Sequence, residues 1–393
     1  MNKRKTVKLG DICDILNGYA FKSKNYVDSG IRVIRITNVQ KGYIEDSNPQ
    51  FYPFETRKDI EKYMLYSGDL LMSLTGNVGR IAILTDKFLP AALNQRVACI
   101  RLKENSPIDK RLLFNMLNSD FFEQQCILSS NGVAQKNMST EWLKEYQLPI
   151  FDIEIQQLIT STLDKVTHTI DLCNQIIEKL DLLIKAKFVE MFGDLIHNKQ
   201  KWITCSVGDI AETVDPQPSH RTPPIVSNGI PYIGIAECNY NTQTIDFTNA
   251  RKVGVNVLEE HIKRYSISEG DFIIGKIGTI GKPFFVPTDR TYTLSANTVL
   301  IQPNKIKINS QFLFAIFQSE YMNRIIDIEK KSTSQPAFGI QKVRAIEIPL
   351  PPLDLQNQFA AFVKQTEKSK SAVKQVLEKA ETLKKALMQE YFG

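Results

Sequence analysis

The chain has 393 residues, 42% of them hydrophobic, which is enough for two or three domains with real cores and excludes a globally disordered protein. Its formal charge of +6, with a pI near 8.8, permits a polyanionic partner such as nucleic acid without demonstrating one. No apolar run reaches the ~18 to 20 residues that cross a bilayer, and Lys3, Arg4 and Lys5 lead into no signal-peptide core, so no membrane association and a cytoplasmic location are expected.

From the N-terminus, Ile31 to Ile36, Leu70 to Leu74, Ile81 to Leu84 and Val97 to Ile100 are short β-branched or apolar runs bounded by Gly, Asn, Asp or Pro, and read as strands. Residues 108–128 carry apolar side chains at helical spacing. After Pro149 the pattern changes: Ile159, Leu163, Val166, Ile170, Cys173, Ile177, Leu180 and Ile184 alternate steps of four and three, a heptad seam. Asp152 and Glu154 suit its N-terminus and Gly193 its stop. The signals then begin again, with strands at Ile230 to Ile235, Phe272 to Gly275, Phe284 to Val286 and Thr298 to Ile301, and helical spacing over 309–329. A second seam follows at Phe359, Val363, Thr366, Lys370, Val373, Leu377, Ala380 and Lys384, weaker because Thr366 and both lysines are polar. The six cysteines lie far apart, with no short-spaced zinc or redox pair, and read as reduced, mostly buried small hydrophobes.

These parallels are one internal repeat. Phe188 to Gly193 recurs as Met388 to Gly393, 200 positions on, and the same register aligns Leu148-Pro149 with Ile348-Pro349, Ile155-Gln156 with Leu355-Gln356, and Leu112 to Phe114 with Phe312 to Phe314. Nearer each start the offset drifts, to 198 for Leu9 to Ile12 against Val207 to Ile210 and to 202 for Gly68 to Leu71 against Gly270 to Ile273, as small loop insertions require. Segment 17–66 has little in common with 215–265, so the two copies share a framework and differ in their loops. The reading is α+β: two similar β-rich domains at 1–150 and 194–350, separated by helical spacers at 151–193 and 351–393. The helices can pair only antiparallel, as a coiled coil, which places the domains at opposite ends of a rod with pseudo-twofold symmetry. About 40 residues at about 1.5 Å each give ~60 Å, against about 34 Å for one turn of duplex DNA.

This arrangement resembles Type I restriction-modification specificity subunits over essentially the whole chain. The residues that carry the resemblance are Gly68 to Arg80, their counterpart Gly270 to Lys282, and the segments Leu148-Pro149 to Gln156 and Ile348 to Gln356. The first copy has Leu148-Pro149-Ile150-Phe151 where the second has a Pro-Pro pair, a departure that bears only on helix entry. The resemblance implies two target-recognition domains, each reading one half of a split double-stranded DNA site, and helices that bind methyltransferase subunits, two of them, and through these the restriction subunits. It places adenine methylation and ATP-driven restriction in those partners. S-adenosylmethionine, ATP and Mg are then expected there, with no cofactor and no metal in this chain.

Several segments suit contact with DNA. The Gly76–Gly79 and Gly278–Gly281 loops, each followed by a cation, Arg80 or Lys282, read either as hairpin turns or as phosphate-approaching loops involving Asn77, Lys276 and Thr279. Gln95, Arg96 and Asn297 suit base edges or, equally, a turn cap. Base reading must reside in what differs between copies, which points to Tyr19, Phe21, Lys22, Ser23, Asn38 and Lys41 in one and to Gln217, His220, Arg221, Glu237 and Asn239 in the other. Gln135, Lys136, Ser334 and Gln335 recur before each helix as further phosphate candidates.

No catalytic machinery is evident. Thr222 to Ile225 and Leu350 to Leu353 supply prolines without the acid or amide and the aromatic of an adenine-methylating motif, no phosphate loop appears, and Asp327 with Glu329, Lys330 and Lys331 only faintly echoes a metal nuclease. The chain reads as a non-catalytic binding subunit. The alternative is a duplicated protein-interaction scaffold without DNA specificity.

Overall fold

Residues 5–130, 138–219, 221–240, 242–277, 279–332 and 338–393 are described by a computed structural model, and they divide into two units, one of residues 1–174 with 374–393 and one of residues 175–373.

In the first unit the strands Cys13–Asn17, Val97–Leu102, Leu70–Ser73 and Ile81–Ile83 form an antiparallel sheet in that order. The sheet is buried on both faces, which is why its strands read as continuous apolar runs rather than alternating ones. Leu70, Met72, Ile81, Ala98 and Ile100 face one core, shared with the helices Lys110–Leu117 and Asp120–Ser129. Leu71, Ala82, Val97 and Cys99 face a second core against the sheet Phe51–Tyr52, Ile31–Ile34, Ala91–Leu93 and Met64–Leu65. The helical signal over 108–128 becomes two helices because Ser119 ends one at Met116 O and caps the next, its hydroxyl accepting from Phe122 N.

The second unit repeats this plan. Its main sheet orders Ala211–Val214, Thr298–Pro303, Phe272–Gly275 and Pro283–Phe285, again antiparallel. Phe272, Ile274, Val299 and Ile301 face the helices, while Ile273, Phe284 and Leu300 face the other core. Its strand Ile225–Ile233, which pairs in parallel with Thr293–Leu294 as Ile31–Ile34 does with Ala91–Leu93, is longer and bulged, and among the described residues the helix Val255–Ile262 has no α-helical counterpart in the first unit.

Helices Ile153–Phe192 and Leu353–Phe392 each run 40 residues. All sixteen expected seam positions are buried or half-buried, and Gly193 ends the first helix with φ of 72°. Within the first unit Phe392 enters the core beside Ile159 and Leu163; within the second, Phe192 and Phe188 pack on Phe359 at ring separations of 5.5 and 5.4 Å. An early turn of one helix thus meets a late turn of the other in each unit, which is the antiparallel pairing expected. Val166, Ile170, Ile177, Leu180, Val373 and Leu377 continue the stripe. The polar positions are accommodated. Thr366 bonds back to Phe362 O, and Lys370, 8% exposed, pairs with Asp181. Burial holds the ammonium of Lys384 below the usual lysine range, opposed by Asp171.

Each domain is fastened to its helix by the same residue. Gln156 accepts from Asp109 N at 2.9 Å and donates to Pro107 O and Phe151 O; Gln356 accepts from Asn309 N at 2.9 Å and donates to Pro351 O. All six cysteines are free, and burial raises the Cys13 and Cys238 thiols to about 12, so they behave as small hydrophobes.

Candidate nucleic-acid interface

Three loops converge at one end of the main sheet in the first unit. Tyr19 N–H donates to Leu93 O at 2.8 Å and Gln95 N–H to Tyr19 O at 2.9 Å, which ties the segment after the first sheet strand to the 94–96 loop. Leu74 N–H donates to Arg96 O at 3.0 Å, and Met138 N–H to Leu74 O at 2.9 Å, which brings in the glycine turn and the start of the chain beyond residue 137. Glycine is required twice. A Cβ on Gly18 would lie 2.2 Å from the Asn94 carbonyl, and Gly79, at φ of 87°, turns the chain so that its N–H reaches Ser73 O.

On this end Lys22, Ser23, Asn77, Gln95 and Arg96 are exposed. Arg80 is half-buried; it donates to Gln40, and the Asn77 amide, oriented to accept, meets it at 3.0 Å. Tyr19 and Phe21 are half-buried in an aromatic cluster, Tyr19 against Phe21 and Tyr63 at 5.0 and 5.2 Å and Phe21 against Tyr52 at 4.8 Å. Lys41 is exposed but bridges Asp120 and Glu123; burial lowers its pKa, and the two carboxylates outweigh that and leave it raised.

The second unit assembles the same three loops. Lys276 N–H donates to Asn297 O at 2.8 Å, Phe338 N–H to Lys276 O at 2.9 Å, and Gly281 N–H to Gly275 O at 3.0 Å. Arg221, Asn239, Thr279, Lys282 and Asn297 are exposed. The Lys282 ammonium lies 3.9 Å from the centre of the Tyr240 ring, and the Tyr240 hydroxyl donates to Lys282 O. Gln135, Lys136, His220, Gly278, Ser334 and Gln335 lie outside the described residues.

Three expectations are corrected. Asn38 is 5% exposed; its amide accepts from Arg35 N and donates to Glu45 O, so it caps a turn and offers nothing to a base. Glu237 likewise accepts from Gly234 N at 2.8 Å. Lys276 is 6% exposed, its ammonium 2.7 Å from Asp215 Oδ1 and 3.0 Å from Ala296 O, so its charge is used inside the domain. The repeat already carried the signal for this inward turn, because the equivalent position in the first copy is Leu74, itself 6% exposed. Sequence reasoning missed His261, which is 1% exposed and hydrogen-bonded at both ring nitrogens, because nothing in its spacing marked it.

The surfaces suit a polyanion: exposed amides, hydroxyls and cations on rigid turns, able to meet phosphates and base edges. Among the described residues no cluster of His, Cys, Asp or Glu could hold a metal ion, and no helix is long and apolar enough to cross a membrane.

Comparison with known proteins places this plan in context. The model of the "Type I restriction modification DNA specificity domain" matches twice, at residues 1–182 and 199–382. The chain is 22% identical over 390 residues to the EcoBI specificity subunit of Escherichia coli, covering 91% of this chain and 78% of that one. It is 22% identical over 404 residues to the putative MjaX specificity subunit of Methanocaldococcus jannaschii, covering 97% and 91%. Among solved structures, the type I S subunit from M. genitalium aligns over 100% of this chain and 97% of its own at 13% identity, with a TM-score of 0.58. A chain from a structure on complex assembly and conformational transition of the type I R-M system aligns over 100% and 98% at 16% identity, also with a TM-score of 0.58.

Proposed function

The chain belongs to the Type I restriction-modification DNA specificity family, and from that premise we propose how it reads its target. It is the DNA-sequence specificity subunit of such a system. Each unit reads one half of a bipartite double-stranded site with the loop cluster at the end of its main sheet, and the observation that carries this reading is that the same three-loop surface is built twice from loops of different sequence. Shared framework supplies position and divergent loops supply base choice. Lys22, Gln95 and Arg96 in the first unit and Arg221, Lys282 and Asn297 in the second are exposed cations and amides suited to this.

The long helices dock two adenine methyltransferase subunits, which in turn carry the restriction subunits. Leu158, Leu172, Leu182, Leu183, Val376 and Leu383 stand off the buried seam, Leu158 at 63% and Leu182 at 56% exposed, and give those partners an apolar surface to cover. S-adenosylmethionine, ATP and Mg bind in the partners, and this chain contributes no catalytic group. The assembly works in the cytoplasm, where its six free thiols stay reduced.

The test is footprinting of the chain reconstituted with its methyltransferase subunits. The expected result is protection of two separated half-sites, with affinity about 10³-fold or more above random DNA and steep salt dependence. Salt-insensitive binding without sequence preference would refute the reading in favour of a protein scaffold.

A further inference from the structure

In the second unit the segment that leads to Arg221 is held in a way the first unit does not use. Its sequence is Asp215-Pro216-Gln217-Pro218-Ser219, and in the repeat register Gln217 stands where Tyr19 stands. Tyr19 is pinned by its own main chain, donating to Leu93 O and accepting from Gln95 N. With proline on either side, Gln217 belongs to a stretch whose alternate residues have no N–H to donate.

Side chains hold it instead. From one side, the buried Lys276 ammonium reaches Asp215 Oδ1 at 2.7 Å, and the same carboxylate oxygen accepts from Gln217 N at 3.2 Å. From the other, a relay of hydrogen bonds runs outward from the core. Leu294 N–H donates to Tyr265 Oη at 3.1 Å, the Tyr265 hydroxyl to Thr293 Oγ1 at 3.1 Å, and the Thr293 hydroxyl to His261 Nδ1. The His261 Nε2–H then donates to Gln217 Oε1 at 2.5 Å, and the Gln217 amide to Ser219 Oγ at 2.8 Å. Ser219 Oγ also accepts from Arg221 N at 3.4 Å. From Leu294 to Ser219 every donor points outward, which takes a neutral imidazole protonated at Nε2, and Arg221 N–H meets the end of the relay from the opposite side. Burial, with Arg264 adding to it, lowers the His261 pKa against the opposing pull of Glu260 and keeps the ring in that state.

The geometry points to His261 and Lys276 as positioning residues that fix the base choice of the second recognition domain by presetting residues 215–219, which lead to Arg221. The inference rests on the reading of that domain as a half-site reader. Neither residue touches DNA: one is 1% and the other 6% exposed. Each removes freedom from a loop that would otherwise lose it on binding, and a preset loop discriminates because a wrong base cannot be met by rearrangement. The first domain has Leu74 in place of Lys276 and, among its described residues, no such relay, so the effect is confined to one half of the site.

The experiment is methylation of a library of bipartite sites by the full chain reconstituted with its methyltransferase subunits, scored as the ratio of cognate to single-mismatch sites in each half. His261→Phe, and separately Lys276→Met with Asp215→Asn, are expected to lower discrimination about tenfold in the second half and leave the first unchanged. His261→Gln, whose amide can both donate to Gln217 and accept from Thr293, is expected to keep it. If His261→Phe fails to fold, Gln217→Met at the half-exposed end of the relay gives the same readout. Variants that lose discrimination equally in both halves, or in neither, overturn the proposal. A wild-type complex that prefers no bipartite site overturns the functional reading, and the proposal with it.

Discussion

Replacing Gln156 by Leu tests how each recognition domain is fastened to its helix. The side chain is 2% exposed and makes three hydrogen bonds, to Asp109 N, Pro107 O and Phe151 O at 2.9, 2.7 and 2.8 Å. Leucine of similar size fills the space and satisfies none of them. An unpaired buried N–H costs about 1–3 kcal/mol, and the two carbonyls add less because each has a second lone pair and access to water, so the expected loss is about 2–4 kcal/mol. The chain carries its own local reporters, since it has two tryptophans, Trp142 among the aromatic rings of the first unit and Trp202 bonded to Phe192 O in the second. In a Trp202→Phe background, urea unfolding followed by Trp142 fluorescence should show Gln156→Leu moving the transition down by that amount. In the complementary background, Gln356→Leu should move the transition seen by Trp202. A Trp142 transition displaced by less than about 1 kcal/mol would refute the fastening role, because the remaining interactions would then suffice without the glutamine.

Further outcomes follow from other pairs. Asp69 is buried against Arg101 at 2.6 Å, so Asp69→Asn should destabilise the first unit by roughly 2 kcal/mol or more in thermal unfolding. Its counterpart Asp271 accepts from Gln302 and Ser268, and burial outweighs these bonds and the charge of Lys305 and raises its pKa above 3.8. Its ionisation therefore opposes folding, and stability falls as pH rises through the raised value. Asp271→Asn should raise the melting temperature at pH 7 and lose that advantage below about pH 4, where both states are protonated. Exchanging residues 17–100 for the same segment of another specificity subunit should change one half of the methylated site; a change in both halves would contradict independent reading. Arg96→Ala should cost about 1–3 kcal/mol of discrimination at the first half-site if the guanidinium reads a base, and should instead weaken all sequences evenly if it meets a phosphate. A chain ending at Gly193 should pair with itself through its own seam, but weakly, because Ile170 stands in the place of Lys370 and leaves Asp181 without its lysine. Ile170→Lys should tighten that dimer in sedimentation.

The repeat and the heptad seams were legible because they are patterns of many residues, and chance does not keep a register over 200 positions. Strand positions such as Leu70 to Leu74 were legible for a related reason: a sheet buried on both faces has to be apolar throughout. Individual site residues were not. Asn38 and Lys276 are polar residues beside loops, and only three-dimensional neighbours tell a turn cap or an internal ion pair from a DNA contact. Lys276 was nonetheless within reach, since the apolar residue at its equivalent position marks the direction of the side chain. His261 lies on the helix Val255–Ile262, which has no α-helical counterpart among the described residues of the first copy, so the repeat offered nothing to compare it with.

The first unit takes residues 374–393 into its fold, and Phe392 into its core, whereas the second is a single uninterrupted stretch. During synthesis the half made first must therefore wait, with an apolar socket beside Ile159 and Leu163 unfilled, until translation has passed the half made second. A premature stop near residue 374 would thus spare the second unit and cripple the first. Chaperone dependence and protease sensitivity in nascent chains should concentrate in the early-translated half.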